Sequence, residues 1–267
     1  MLEKLDTQEG FVKREERRQA IMDLLVEARA VELDALADRF AVSKMTIHRD
    51  LDDLEQAGLL RKVRGGATIE AGTQFESDFR FRERQGPDVK ARMAQTALDF
   101  IEPGMTVMLN DGSTAAFVGT MLRHKRPLTI ITNNDAVIGA LKSEPGITVI
   151  ALGGRYSSKY NAWVGRVTED ALAHLRADLA IISTPAVSGT QTFHMDDDIV
   201  RVKRRMMDGA QRSILLINHA RFDRTALHLL ADLSEFDAII TDEQPSDTAR
   251  DALARAGLTL TLAQEAH

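Results

Sequence analysis

The chain has 267 residues, 44% of them apolar and 28% charged, with a formal net charge of −6 and no cysteine. That apolar fraction supports one large or two modest buried cores and excludes wholesale disorder. The missing cysteines exclude a disulfide scaffold, a thiolate metal site and a cysteine nucleophile, and the negative net charge means that nucleic-acid binding needs a local cationic patch.

The opening residues, Met1 to Asp6, lack a basic start followed by an apolar run, so no signal peptide is expected. No apolar stretch approaches the roughly 20 residues of a membrane helix. A cytoplasmic protein without a membrane partner is expected. From Glu16 to Ala28, Ile21, Leu24, Leu25 and Ala28 recur at three- and four-residue steps, which predicts a helix. Leu33, Leu36, Ala37 and Phe40 give a second helical face. Ala41-Val42 then makes a tight connection, Ser43 is the expected N-cap, and Ile47, Leu51 and Leu54 form the buried stripe of a third helix that Gly58 ends. Leu59 to Ile69 reads as a hairpin with Gly65-Gly66 at its tip.

This layout predicts a winged helix-turn-helix over residues 1–70. If Ile47, Leu51 and Leu54 face inward, Lys44, Met45, His48, Arg49 and Asp52 lie nearer the outside, and the first turns of such a helix enter the major groove. Ser43 and Thr46 hydroxyls can meet phosphates or base edges, and Arg49 has the fork that matches guanine. Arg61, Lys62, Arg64 and Gly65 on the wing are expected against phosphates. With 12 Lys and Arg against 15 Asp and Glu, the region is not basic overall. Its cations nevertheless cluster at 44–49 and 61–64, which a winged helix brings together.

The run from Leu33 to Leu51, which contains Ala41-Val42-Ser43-Lys44-Met45-Thr46-Ile47-His48-Arg49-Asp50, resembles the DeoR family of bacterial transcription regulators. So do Leu54 to Leu60 and Arg64-Gly65-Gly66-Ala67. The family usually has two successive arginines where this chain has His48-Arg49. A neutral imidazole cannot reproduce a guanidinium fork, so the base preference at that position is expected to differ.

Residues 71–87, with Gly72, Gly86 and Pro87, read as a linker. Residues 88–267 alternate short apolar runs with helical stretches. The runs at 106–110, 128–132, 147–152, 179–183, 213–217 and 237–241 suit parallel strands covered on both faces. The expected architecture is a Rossmann-like open α/β sheet that binds small anions beyond the carboxyl ends of its strands. Asp111-Gly112-Ser113-Thr114, Thr132-Asn133 and Gly153-Gly154 follow three of these strands, and the first opens a helix whose unpaired N–H groups favour a phosphate. None of the seven histidines forms a short paired-ligand motif, so no metal or other cofactor is expected.

This second region resembles the DeoR effector domain, which is similar to the ribose-5-phosphate isomerase fold. The resemblance rests on Asp111-Gly112-Ser113-Thr114, Thr132-Asn133, Gly153-Gly154 and Val202-Lys203-Arg204. It implies a phosphorylated sugar or polyol as effector, with Lys203 meeting its charge. It also implies a homo-oligomer, dimer or tetramer, on a double-stranded DNA operator, and repression of a carbohydrate catabolic operon. The chain departs from the family at Ser183 to Gly189, which lacks the isomerases' acids, and at Asn218-His219-Ala220-Arg221-Phe222 in place of Asp-x-Ser-Lys-Phe. Without a poised carboxylate an enediol mechanism is not supported. Two rival readings are an isomerase with a fused helical domain and a metabolite sensor whose helices meet another protein.

Overall fold

The structure, a computed structural model, describes residues 14, 16–18, 20–22, 24–25, 28, 30–56, 59–68 and 79–263. The chain divides between Phe81 and Arg82 into two compact units. Gly58, Ile69 and residues 71–78 of the stretch expected to link the domains lie outside the described residues. A helix at Phe79–Arg84 occupies the later part of that stretch, and Pro87 is the first residue of the next helix.

In the first unit, the described residues between 14 and 28 are helical. They are followed by β1 (Ala30–Glu32), α1 (Leu33–Phe40), α2 (Lys44–Gln56), β2 (Arg61–Val63) and β3 (Gly66–Thr68). Ile21, Leu25, Leu36, Ile47 and Leu51 fill one core, as their spacing predicts. Met22 joins it, whereas Ala28 is exposed. The wing differs from the expected hairpin in two ways. Its turn is Arg64-Gly65, with Gly65 at φ +85°, and Gly66 is instead the first residue of β3, paired with both Val63 and Glu32. A Cβ at Gly66 would lie 2.0 Å from the Val31 carbonyl oxygen, so close packing against β1 requires glycine there. β1 is the strand that periodicity could not reveal, because three residues are too few to show a period.

The second unit is a parallel α/β fold. After α3 (Phe79–Arg84) and α4 (Pro87–Leu98), the chain builds a seven-stranded sheet. Its strands are β4 (Thr106–Leu109), β5 (Leu128–Thr132), β6 (Ile147–Ala151), β9 (Ala177–Ser183), β12 (Ala210–Leu216), β14 (Ala238–Thr241) and β15 (Thr261–Leu262). The order is β15-β14-β12-β9-β4-β5-β6, parallel at every pairing. Val107, Met108, Leu109, Ile181 and Ile182 are fully buried, as strands covered on both faces require. α5 (Ser113–Met121), α6 (Asp135–Leu141), α7 (Arg166–Ala173), α8 (Asp197–Gly209) and α9 (Asp247–Arg255) supply the cover. Two antiparallel insertions complete the unit. They are the hairpin β7 (Arg155–Ser157) with β8 (Ala162–Val164), and a small sheet of β10 (Ala186–Ser188), β11 (Gln191–His194) and β13 (His228–Asp232). The chain runs outward from β4 to β5 and β6, then returns to place β9 on the other side of β4. The switch point therefore lies between β4 and β9, where such sheets open a crevice.

Candidate functional site

On α2 the burial pattern separates two faces. Ile47, Asp50, Leu51 and Leu54 are buried, while Lys44, Met45, His48 and Arg49 are exposed. Met45, His48 and Arg49 lie at one- to four-residue steps along the outward face, with Met45 61% exposed in the first turn. Ser43 caps the helix: its hydroxyl accepts from the Thr46 N–H at 3.2 Å and meets the Thr46 hydroxyl at 2.9 Å. Lys44 pairs with Asp34 at 2.8 Å. Among the described residues no ion pair holds His48 or Arg49, so both remain available to a partner. On the wing, Arg61, Arg64 and Gly65 are exposed. Lys62 is half-buried, pairs with Asp52 and donates its backbone N–H to Glu55 at 2.7 Å.

Asp50 is the feature of this helix that the sequence concealed. Its carboxylate is buried and accepts from Arg17 Nε at 2.6 Å and Arg18 Nε at 3.4 Å, with Arg14 at 3.7 Å. It thereby ties α2 to the first helical segment. Its place next to Leu51 in an apolar stripe is the signal that could have revealed it.

In the second unit, a cavity of about 230 Å³ opens beside the carboxyl ends of β4, β9 and β12. Ser113 and Thr114 contribute from the N-terminus of α5, Ser183 and Thr184 from the end of β9, and Lys203 from α8. Gly112 has φ +138°, and a Cβ there would lie 2.5 Å from Ser183 Oγ, so glycine lets the start of α5 approach the end of β9. Lys203 is buried. It donates to the Ser183 carbonyl at 2.8 Å and stands 3.5 Å from the fully buried Asp111. Burial lowers the proton affinity of Lys203, and Asp111 opposes that effect.

The rest of the wall comes from residues that the sequence reading did not assign. Arg82 and Gln85 belong to α3 and the turn after it. Lys90 lies on α4, and Asn218 and Arg221 lie on the turn after β12. Lys90 is buried; its ammonium donates to the carbonyls of Arg82 and Glu83 and sits 5.7 Å from the Phe117 ring centre. Burial, reinforced by Arg82, lowers its pKa to about 7. Asp242 fixes the turn that carries Asn218. Its carboxylate accepts from Asn218 Nδ2 and from the His219 N–H, both at 2.7 Å, and lies 2.8 Å from the His219 ring. His219, Asp242 and Glu243 group closely enough to hold a metal ion, yet these bonds already occupy Asp242.

The sequence-selected residues therefore separate. Ser113, Thr114 and Lys203 line the cavity, with Asp111 directly behind Lys203. Thr132, Asn133, Gly153 and Gly154 end β5 and β6, one and two strands further from the switch point, and do not line it. Thr132 Oγ1 donates to the Leu109 carbonyl at 2.7 Å, and Asn133 Nδ2 donates to the Trp163 carbonyl at 3.0 Å. Gly153 accepts from the Thr168 hydroxyl at 2.6 Å, and at Gly154 a Cβ would lie 2.7 Å from the Val164 carbonyl oxygen. These groups join β7, β8 and α7 to the sheet. Asp196 caps α8, accepting from Ile199 N at 3.2 Å, while Asp197 and Asp198 pair with Arg201. His194 is buried with its Nδ1 accepting from Asp196 N at 3.1 Å, and burial holds its pKa well below 6.5.

Comparison with known proteins accounts for both halves. Residues 17–72 match the DeoR-like helix-turn-helix domain, and residues 86–243 match the DeoR C terminal sensor domain. The HTH-type transcriptional regulator YgbI of Escherichia coli (strain K12) is 31% identical over 93% of this chain and 98% of its own length. The L-fucose operon activator of Haemophilus influenzae is 32% identical over 79% and 85%. The glycerol-3-phosphate regulon repressor of Escherichia coli (strain K12) is 27% identical over 88% and 93%. Ribose 5-phosphate isomerase A from Methanocaldococcus jannaschii superposes with a TM-score of 0.38 at 16% identity, covering 52% of this chain and 55% of that one. Among the described residues no helix is long and apolar enough to cross a membrane. The chain belongs to the DeoR family: it is a transcriptional regulator and not an enzyme, with a DNA-binding helix-turn-helix domain and a C-terminal sensor domain for an effector.

Proposed function

We propose that this regulator represses a carbohydrate catabolic operon and is released from its operator by a phosphorylated sugar or polyol held in the cavity at the β4–β9 switch point. The observation that carries the reading is the cavity itself. The N-terminus of α5 presents Ser113 and Thr114 to it, and the buried Lys203 stands in its wall. Unpaired helix N–H groups, small hydroxyls and a lysine are what a phosphate needs. Two relatives are named for the control of L-fucose and glycerol-3-phosphate genes, which supports a sugar-like effector. The exposed face of α2 reads base edges through Met45, His48 and Arg49, while Arg61, Lys62, Arg64 and Gly65 brace the phosphates. One half-site offers limited contact area, so two or four subunits pair on a repeated operator.

A thermal-shift screen of phosphosugars and free polyols tests the effector reading. Phosphorylated compounds should raise the melting temperature, because a ligand that binds only the folded state stabilises it. A shift with free polyols alone would contradict the assignment of Ser113, Thr114 and Lys203 to a phosphate.

A further inference from the structure

We propose that Lys90 is a covalent anchor for the effector: its side-chain nitrogen condenses reversibly with the open-chain carbonyl of a phosphorylated sugar, so the ligand class is an aldose or ketose phosphate and not a polyol phosphate. This rests on the reading of the cavity as the site of a phosphorylated effector. Lys90 and Lys203 both line that cavity, but their surroundings differ. Lys203 stands 3.5 Å from the Asp111 carboxylate, which favours its charged form. Lys90 is 8% exposed and lies on α4 with Val89 and Met93, which line the same cavity. Its nitrogen donates to the main-chain carbonyls of Arg82 and Glu83 and sits 5.7 Å from the Phe117 ring centre. Among the described residues no carboxylate forms an ion pair with it.

A lysine nitrogen is a nucleophile only once it has lost its proton, and burial favours that loss. The charged groups around Lys90 are Arg82 and Glu83 from α3 and Arg221 from the turn after β12; from α5 it meets the uncharged Phe117 ring. Burial is the largest influence and brings its pKa to about 7. The neutral amine has two N–H groups and one lone pair. The two carbonyls of α3 accept from the N–H groups, which leaves the lone pair for an electrophile. Ser113 and Phe117 are four residues apart on α5 and share a face. A phosphate at Ser113 and Thr114 and a carbonyl at Lys90 suit the two ends of one small ligand.

The lone pair of the Lys90 nitrogen adds to the carbonyl carbon, and the C=O π pair moves to the oxygen, which takes one amine proton. The carbinolamine so formed expels that oxygen as water with the second amine proton, and the C=N bond forms. One amine and one carbonyl give one imine and one water, with no redox change. The imine keeps no N–H, and its protonated form only one. Condensation thus removes donors from the carbonyls of Arg82 and Glu83, in the last turn of α3, where the chain passes from the first unit to the second. The step that anchors the ligand also alters the segment joining the two units.

Cyanoborohydride trapping on the full chain tests this. The probes are glyceraldehyde 3-phosphate, ribose 5-phosphate and fructose 6-phosphate, with glycerol 3-phosphate, ribitol 5-phosphate and glucitol 6-phosphate as their carbonyl-free counterparts. At pH 7 at least one carbonyl compound should leave a reduced adduct that peptide mass spectrometry places on Lys90, formed at least about tenfold faster than on the exposed Lys142. The carbonyl-free counterparts should leave none. If members of the panel bind by calorimetry and no carbonyl compound labels Lys90 faster than Lys142, the inference is overturned and the phosphorylated-effector reading stands. An adduct on Lys203 in place of Lys90 overturns it equally. Binding of no member of the panel overturns both.

Discussion

On the recognition helix the outward-facing groups, Met45, His48 and Arg49, are solvated and carry little of the fold. In the cavity of the sensor domain two lysines are buried: Lys203 against Asp111, and Lys90 against the end of α3. A DNA reader works from outside a finished core, so its residues can change without unfolding the domain. A buried cation in a cavity wall is a structural element, so if it also meets the proposed effector, the same substitution alters stability and sensing together. His48 lies on the exposed helix face, and Asn218 and Arg221 lie in the cavity wall, so the two unusual segments of the sequence fall on opposite sides of this divide.

The sharpest way to break the comparison is at Lys203. Lys203→Ala leaves Asp111 charged and fully buried, and should destabilise the chain by about 3–5 kcal/mol in chemical denaturation. The double change Lys203→Met with Asp111→Asn removes both charges and should recover much of that loss. A change below about 1 kcal/mol in Lys203→Ala would mean that its charge is not part of the fold.

Lys90 sharpens the same contrast through pH. In the folded chain it loses its proton near 7, whereas in the unfolded chain it keeps it until about 10.5. Between those values the unfolded state binds more protons, so the contribution of Lys90 makes stability rise with pH across that window. Lys90→Met should flatten the slope, measured as denaturation midpoints at pH 7, 8 and 9. An identical slope in wild type and variant would place Lys90 in solvent.

On the exposed side, effects should fall on binding and spare stability. Arg49→Ala should weaken operator binding by about 1–3 kcal/mol and relax the preference at one base position, with the melting temperature unchanged. The smallest effect belongs to Arg64, exposed in the turn of the wing. Arg64→Ala should weaken all duplexes alike and reduce the salt slope of log affinity by about one. A sequence-dependent loss there would make the wing a base reader.

The same divide explains what could be read from the sequence. Ile47, Leu51 and Leu54 fix the inner face of α2, and the outer face follows from 3.6-residue geometry alone. Asp50 escapes this logic because its partners, Arg17 and Arg18, lie more than thirty residues away on another element. Six of the seven strand positions in the sheet follow from their apolar runs; the two-residue β15 does not, and neither does which strands are neighbours. Thr132-Asn133 and Gly153-Gly154 end strands just as Asp111 to Thr114 do, yet β4 borders the switch point while β5 and β6 stand beyond it. Lys90 and Arg82 are ordinary surface charges in sequence. Only the fold brings them to the cavity, from helices that precede the sheet.

The central claim is that a ligand in the β4–β9 cavity controls the hold of α2 on DNA. The direct test is fluorescence anisotropy of a labelled duplex from the promoter beside this gene, titrated with the full chain, with and without a phosphorylated ligand shown by calorimetry to bind. The account predicts that the saturating ligand weakens operator binding at least about fivefold, the lower end of typical coupling between two sites. Unchanged operator affinity with the cavity saturated would contradict it.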